Sequence, residues 1–596
     1  MQKLFASAVL LGLAACGSDD HGQTVLPTPP VTQANLVCDD TMKTAFTPDA
    51  NTKVLLVKAY KKGDPLLVSG IATAATPAAG NDVCVVKLLV GPGNPGPAGA
   101  PSTSPGIGIE IWLPSAVNWN NRIHVKGGGG WAGTAEADLG QLAGASAEAP
   151  SPAFIAMEEG AVSASTDTGH SSLAAGADAS FAMNVDGTIN TTLWQDFAER
   201  GIHEMAVKTK ALTKAYYGKD AKHTYWNGFS TGGRQGLKEA QANPADFDGI
   251  LVGAPAINWS KFITTELYPQ TVMQRDLGGT NLSGAQLDLI SNAAIDACDS
   301  VAGQHLGYIP DPSQCTYDPR KDVKVLCAGV AGVGVTGASV VDSCVTLTQA
   351  TAVNKMWYGQ TADGSVPDPA IDNGHALAPA ATQKWYGLAR GTSMAALAGA
   401  AQMPIASEMV ALELQNPLLA SSLFRNATGN GKDGWKSLSY ADLAMAWDRG
   451  MSLQSAFSNI NTDSADLSAF KARNGKLLMY HGLADVLIPA QGSINYYNRV
   501  LNQLGGLASV QEFYRLYLIP AMGHSFSNGT SNPVANPPLL TNAQLYSLLT
   551  DWVEKGSTPG IVTAANATKS RPICVYPLKA AWVAGDPSQA ASYSCT

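Results

Sequence analysis

The stretch Lys222-His223-Thr224-Tyr225-Trp226-Asn227-Gly228-Phe229-Ser230-Thr231-Gly232-Gly233-Arg234 decides how this chain is read. It holds a G-x-S-x-G pentapeptide, Gly228 to Gly232, preceded by the strand-like Thr224-Tyr225-Trp226. The helix-like Arg234-Gln235-Gly236-Leu237-Lys238-Glu239-Ala240 follows it. Strand, sharp turn and helix in that order make a nucleophile elbow, with the serine hydroxyl exposed at a helix N-terminus. The two glycines admit a backbone turn that a Cβ would block. Ser230 is therefore the candidate nucleophile.

Outward from the elbow, Ile123-His124-Val125-Lys126 reads as a strand that ends in four glycines, Gly127 to Gly130. Between Trp194 and Tyr217, Phe197, Ile202, Ala206, Ala211 and Leu212 keep helical spacing. Phe247 to Ala256 gives another buried strand and turn, and short β-rich runs lie between Lys53 and Glu110. Alternating strands and helices predict an α/β sheet. From 257 to 469 the alternation fades, loops lengthen and cysteines gather, which predicts an inserted lid over the sheet's active edge. Alternation resumes at Lys476 to Gly482 and runs through Phe513 to Leu518 and a helix over 543–555. The chain divides into a leader (1–16), a tether (17–35), a first core part (36–256), the lid (257–469) and a second core part (470–596).

A serine hydrolase of this architecture carries its triad in the order Ser, Asp or Glu, His. His524, in Pro520-Ala521-Met522-Gly523-His524-Ser525, sits just past the strand ending at Leu518, where the base belongs. Asp485, in His481-Gly482-Leu483-Ala484-Asp485, closes the preceding strand and is the candidate acid. Serine is a weak nucleophile until an imidazole takes its proton, and a carboxylate fixes the tautomer of that imidazole. The oxyanion requires two backbone donors: Thr231 N–H, and one from the glycine run, Gly129 or Gly130.

With 596 residues, 45% of them apolar and 14% charged, the chain has material for a large core. A net charge of −9 without a basic stripe argues against nucleic acid as a partner. Lys3 precedes a short apolar run, Leu4 to Leu13, that ends in Leu13-Ala14-Ala15-Cys16-Gly17. The run is too short to span a bilayer and reads as a leader. Its end resembles a bacterial lipobox, which implies lipidation at Cys16, a membrane anchor and, with Gly17 rather than Asp next, an outer-membrane lipoprotein of the cell envelope. The polar, Pro-rich segment that follows reads as a flexible tether. Beyond Cys16 the eight cysteines form an even set, as expected of disulfides in an exported protein. Sequence alone chooses no pairing. No Cys/His cluster has zinc-ligand spacing.

Taken together, these segments resemble the tannase and feruloyl esterase family from about Cys38 to Cys595. The resemblance is carried by Ile111-Trp112-Leu113-Pro114, Gly127-Gly128-Gly129-Gly130-Trp131-Ala132-Gly133, Ser165-Thr166-Asp167-Thr168-Gly169-His170, the elbow with Gly232-Gly233-Arg234, and Asp248-Gly249-Ile250 with Gly253-Ala254-Pro255-Ala256. It implies an α/β-hydrolase core with a large lid, and a serine esterase acting on small aromatic acid esters. The implied disulfides are Cys38–Cys84, Cys298–Cys315, Cys327–Cys344 and Cys574–Cys595. Within the family the likeness is greatest to the hydrolases of mono(2-hydroxyethyl) terephthalate (MHET), which implies MHET as the lead substrate. Gallate or hydroxycinnamate esters are the alternative, and a non-catalytic surface-binding lipoprotein is a further one. The lid stretch Trp385 to Ser393 implies that Arg390 pairs with a substrate carboxylate, a task suited to a guanidinium fork. Met394, Trp259, His481, Leu487 and Ile488 are implied as pocket walls.

Two departures from the family pattern stand out. The family joins a cysteine before the serine to one after the histidine; here those positions are Phe229 and Ser525. Phe229 packing is expected to hold the histidine loop instead. The family's lid also carries a calcium loop with three aspartates. Here Asp299 remains while Ala302 and Leu306 replace the other two, so the site is expected to be empty or very weak and no cofactor is required.

Overall fold

The computed structural model describes residues 35–146, 150–172, 176–328 and 341–596. Cys16 and residues 17–34 of the tether lie outside them. Two sheets carry the core. Its strands, in chain order, are β1 (Thr52–Tyr60), β2 (Val83–Val90), β3 (Ile107–Pro114), β4 (Arg122–Lys126), β5 (Ser163–Thr166), β6 (His223–Phe229), β7 (Gly249–Gly253), β8 (Lys476–Gly482) and β9 (Tyr514–Ile519). The central sheet runs β9-β8-β7-β6-β4, all neighbours parallel. β7 is buried throughout, and the interior of β8 is buried as well. That is why these segments read as unbroken apolar runs rather than alternating ones, since helices cover both faces of a parallel sheet.

β1-β2-β3-β5 form an antiparallel sheet. It joins the central one where His124 N–H donates to Val162 O (2.8 Å) and Val162 N–H to Arg122 O (3.0 Å). Helix α1 (Gly201–Tyr217) continues a helical run begun at Thr191 through a one-turn π-bulge at Asp196–Arg200. Helix α2 (Thr231–Ala242) follows β6 directly. Between β7 and β8 lie α3 (Trp259–Glu266), α4 (Tyr268–Asp276), α5 (Gly284–Cys298), α6 (Leu347–Tyr358), α7 (Pro404–Leu414) and α8 (Tyr440–Ser452). Helices α4 to α8 bury a separate core around Tyr268, Ile290, Val353, Trp357, Val410 and Leu443, while α3 packs Trp259, Phe262 and Ile263 against Trp131, Trp194 and Phe197. After β8 come α9 (Ala490–Gln503) and α10 (Asn542–Lys555). The C-terminal hairpins β10 (Val562–Ala565) with β11 (Ser570–Ile573), and β12 (Ala580–Trp582) with β13 (Tyr593–Cys595), complete the chain. The four disulfides are Cys38–Cys84, Cys298–Cys315, Cys327–Cys344 and Cys574–Cys595. Among the described residues no helix is long and apolar enough to cross a membrane.

The parallel register puts the carboxyl ends of β4, β6 and β8 on one edge, where open α/β sheets bind ligands. In the antiparallel sheet, Lys87 on β2 and Glu110 on β3 form a fully buried ion pair (3.0 Å). Glu110 also accepts from Trp112 Nε1, Ala143 N–H and Gly144 N–H at 2.7–2.8 Å. Lys87 donates to the carbonyls of Ala135 (2.8 Å) and Asp138 (2.7 Å). The pair thus fastens the loop that follows the glycine run to β2 and β3. Removing one partner strands a buried charge, so Glu110→Ala is expected to lower stability by about 3–5 kcal/mol in urea denaturation; a change within about 0.5 kcal/mol would refute this anchoring role.

Candidate active site

Ser230 ends β6 and caps α2 with φ 60° and ψ −122°, outside the helical and extended regions. Such a backbone costs roughly 1–3 kcal/mol and persists only where its surroundings enforce it. Here they do. Ser230 N–H donates to Gly253 O (2.9 Å), and Ser230 O accepts from Arg234 N–H (3.1 Å) and Ala256 N–H (3.0 Å). A Cβ at Gly228 would stand 2.1 Å from Gly232 O, and one at Gly233 2.7 Å from Gly253 O. Those glycines are therefore required by close approach. The turn points the half-buried Ser230 hydroxyl into a cavity of about 580 Å³ that His524 also lines.

Asp485 is buried behind His524. Its Oδ2 accepts from His524 Nδ1 at 2.8 Å, and its Oδ1 from the N–H groups of Leu487 and Ile488, both at 2.9 Å. His481 Nε2 lies 3.3 Å from Oδ2. Burial pushes the carboxyl upward, but His524, with the hydrogen bonds from His481 and His524, holds it well below the usual carboxylate range. With Nδ1 bound to Asp485, the His524 ring is left with Nε2 as its catalytic nitrogen. No direct hydrogen bond joins Ser230 Oγ to His524 here; such contacts commonly tighten only with substrate bound. The Phe229 ring packs on the His524 ring, centroids 4.9 Å apart, and beside Tyr480 and Phe526. Ser525 Oγ is hydrogen-bonded to Ser527 Oγ (2.5 Å).

The glycine run faces the elbow. Gly127 N–H is bonded to Asn227 O and Gly128 N–H to Gln235 Oε1, while Trp131 N–H is bonded to Gly176 O. Among the described residues the N–H groups of Gly129 and Gly130 have no partner, and neither has that of Thr231 at the start of α2. Thr231 Oγ1 donates to Gly130 O (2.7 Å), which ties the run to the elbow. Gly130 has φ +52°, and a Cβ there would meet Gly176 O at 2.0 Å. These free donors, at a helix N-terminus and a glycine loop, are the kind that an oxyanion site requires.

Of the expected wall residues, Trp259, Leu487 and Ile488 line the cavity. His481 does not. It is fully buried behind Asp485, with Nδ1 on Ser493 Oγ (2.8 Å) and Nε2 on Ile488 O (3.0 Å), and supports the acid instead. Met394 is buried in the lid's own core rather than in the cavity wall. Arg390 also departs from its expected role. Its Nε donates to Tyr317 O (3.0 Å) and its Nη1 to Asn373 O (2.7 Å), with the guanidinium over the Trp357 ring. It is buried in the lid as a cross-brace between loops and is absent from the cavity wall. Sequence reading missed Glu266, the last residue of α3, which does line the cavity. Its Oε2 is buried without a hydrogen-bond partner, and burial followed by the nearby Asp485 charge raises its carboxyl well above the ordinary glutamate range. A glutamate ending an amphipathic helix gives no sequence signal of this placement.

The calcium loop does not fit calcium. Asp299 spends Oδ1 on His305 Nδ1 (2.6 Å) and Oδ2 on Gly307 N–H (2.7 Å). Ala302 offers no side-chain oxygen, Leu306 is buried, and calcium takes six to eight oxygens. Elsewhere among the described residues, His203, Glu239 and Asp246 bring their ligand atoms within 4.8 Å of one another at the far end of α2. His203 Nδ1 is bonded directly to Asp246 Oδ2 (2.7 Å), which accounts for their approach.

Three comparisons bear on this geometry. The family model described as tannase and feruloyl esterase matches residues 97–596. A probable feruloyl esterase of Arthroderma benhamiae is 34% identical over 498 residues, covering 82% of each chain. An uncharacterised esterase of Xanthomonas campestris pv. campestris is 29% identical, covering 83% of this chain and 82% of its own. In fold, the chain resembles feruloyl esterase B from Aspergillus oryzae (TM-score 0.67, 24% identity, 95% and 100% covered). It also resembles a tannin acyl hydrolase from Aspergillus niger (TM-score 0.68, 22% identity, 94% and 95% covered). The α/β-hydrolase fold expected from the family resemblance agrees with these neighbours.

A carboxyl whose folded pKa lies above its unfolded one stabilises the fold below the ordinary glutamate range and loses that contribution as pH rises through the folded value. Each unit of difference is worth about 1.4 kcal/mol. Glu266→Gln, which cannot ionise, is therefore expected to gain stability over the parent protein between pH 4.5 and pH 8, read as a widening difference in Tm. A difference that stays constant across that range would mean that Glu266 titrates normally.

Proposed function

The chain belongs to the tannase and feruloyl esterase family and is a carboxylic ester hydrolase; from that premise we propose that its substrates are esters of small phenolic acids, hydroxycinnamates or gallates. Ser230 Oγ attacks the ester carbonyl while His524 Nε2 takes the hydroxyl proton. Asp485 holds the ring and stabilises the imidazolium. Thr231 N–H and the N–H of Gly129 or Gly130 bind the oxyanion, and losing one such donor costs roughly 100- to 1,000-fold in rate. His524 returns the proton to the departing alcohol, and water, activated by the same ring, then releases the acid from Ser230.

The observation that carries the substrate class is the cavity wall. Trp259, Phe262, Ile263, Ile405 and Leu487 make it apolar, and Glu266 supplies a carboxyl that burial makes hold its proton more tightly, suited to hydrogen bonding with a phenolic hydroxyl. Among the described residues no lysine or arginine lines it. The second reading, MHET hydrolysis, requires a cation for the distal carboxylate, and Arg390 is committed to Tyr317 and Asn373. The test is kcat/KM on methyl ferulate, methyl gallate and MHET, with Ser230→Ala as control. Expected is at least a tenfold preference for a phenolic ester. Glu266→Leu should cost a free-phenol ester about 10- to 100-fold, the price of one unpaired buried polar group, while sparing its methoxy analogue. A preference for MHET would sink the phenolic assignment.

We also propose that the protein is held at the bacterial outer membrane by lipid on Cys16, on the strength of the lipobox-like Leu13-Ala14-Ala15-Cys16. Cys16→Ser should move the esterase from the membrane to the soluble fraction and remove the acyl mass from its N-terminal peptide; membrane retention of the variant would contradict the anchor.

A further inference from the structure

A second cavity, of about 350 Å³, lies between the lid, the sheet core and the C-terminal hairpins. It shares no wall residue with the catalytic cavity. The segment from Leu483 to Ile488 separates them, Leu483 facing one and Leu487 and Ile488 the other, with the catalytic Asp485 between. Its size is that of small-ligand sites.

The charges in its wall are unbalanced. Lys579 is paired with Asp311 (2.7 Å) and bonded to Ser313 Oγ (3.1 Å). His375, half-buried, has its pKa pushed down to about 4 by desolvation and by Arg390, so it adds no charge. Arg571 on β11 is 5% exposed, yet among the described residues no carboxylate reaches it. Its Nε has no hydrogen-bond partner. The guanidinium lies over the Tyr593 ring, 4.7 Å from the centroid, and its side-chain contacts are to two neutral phenols, Tyr593 (Nη1 to Oη, 3.5 Å) and Tyr308. A cation–π contact offsets part of the cost of burying a guanidinium, and a paired anion offsets the rest. The remaining wall is mostly apolar, from Ile494, Leu518, Ile573 and Leu578, with Gln491 and Tyr576 among them.

We propose that this cavity binds a small monocarboxylate with an aromatic or similarly flat apolar body, the carboxylate on Arg571 and the body between Ile494, Ile573 and Leu578. The stoichiometry of charge sets one negative charge, and the apolar wall excludes a hydrophilic anion such as phosphate. If the chain acts on phenolic esters, its own released acids belong to this class, but the site does not depend on that reading.

Calorimetry with cinnamate tests it, on full-length protein whose Ser230 has been phosphonylated by a fluorophosphonate, with loss of fluoride, so that the catalytic cavity is filled. Mass spectrometry reports the phosphonyl group; its absence would count against the catalytic reading and leave the cavity measurement to the variants below. Expected is one cinnamate per chain, with cinnamyl alcohol at least tenfold weaker. Arg571→Leu should weaken cinnamate at least tenfold. Leu578→Trp, at a half-exposed position that tolerates bulk, should do the same by filling the cavity, and thermal unfolding confirms that each variant folds. No binding to the phosphonylated protein, binding that neither variant weakens, or equal affinity for the alcohol would each overturn the proposal.

Discussion

The active edge depends on a backbone approach that only glycine permits. A Cβ on Gly127 would stand 2.4 Å from Gly232 Cα, and one on Gly232 3.0 Å from Gly127 Cα. The first residue after β4 and the first turn of α2 are therefore in direct main-chain contact. This one approach brings the glycine-run donors to the elbow, and Thr231 Oγ1 then locks them by its bond to Gly130 O. The strained Ser230 backbone survives because the same contact leaves α2 nowhere else to begin. Oxyanion site and nucleophile are thus one steric object, positioned by the parallel pairing of β4 with β6.

Two carboxyls share the dry region beside that object and are driven in opposite directions. Asp485 receives two backbone N–H groups and two imidazoles, and stays ionised despite complete burial. Burial, and after it the Asp485 charge, raise the Glu266 carboxyl well above the ordinary glutamate range, and its Oε2 has no hydrogen-bond partner among the described residues. Environments that split like groups in this way assign roles. Asp485 holds the His524 ring, and Glu266, in the cavity wall, binds its proton more tightly than an ordinary glutamate. Their separation is self-reinforcing, since the more firmly Asp485 is held as an anion, the more the neighbouring carboxyl favours neutrality.

Much of this was legible because it is local. The elbow, the glycine run and the chain order of Asp485 and His524 are set by neighbours in sequence, and backbone sterics link them to geometry directly. The lid was not legible in the same way. Arg390 and Met394 lie in a long insertion where side-chain direction is decided by packing between helices far apart in sequence, and both turn into the lid's own core. His481, at the end of β8, was misread for a subtler reason: strand alternation places a residue on a face, but which layer that face meets depends on α9, whose Ser493 takes the ring. Glu266 escaped because its chemistry comes wholly from desolvation, which leaves no trace in a helix-terminal glutamate.

The missing cysteine pair beside the triad shows how a covalent constraint is replaced by packing. A disulfide acts largely on the unfolded chain by closing a loop, whereas stacked rings act on the folded state alone. Here Phe229 lies against the His524 ring itself, and the loop is closed by its own backbone through Gly523 N–H to Ser527 O (3.0 Å) and Gly529 N–H to Ala521 O (2.9 Å). The lid adds a third restraint, Ser393 N–H to Gly529 O (2.9 Å). The catalytic base is therefore held jointly by core and lid.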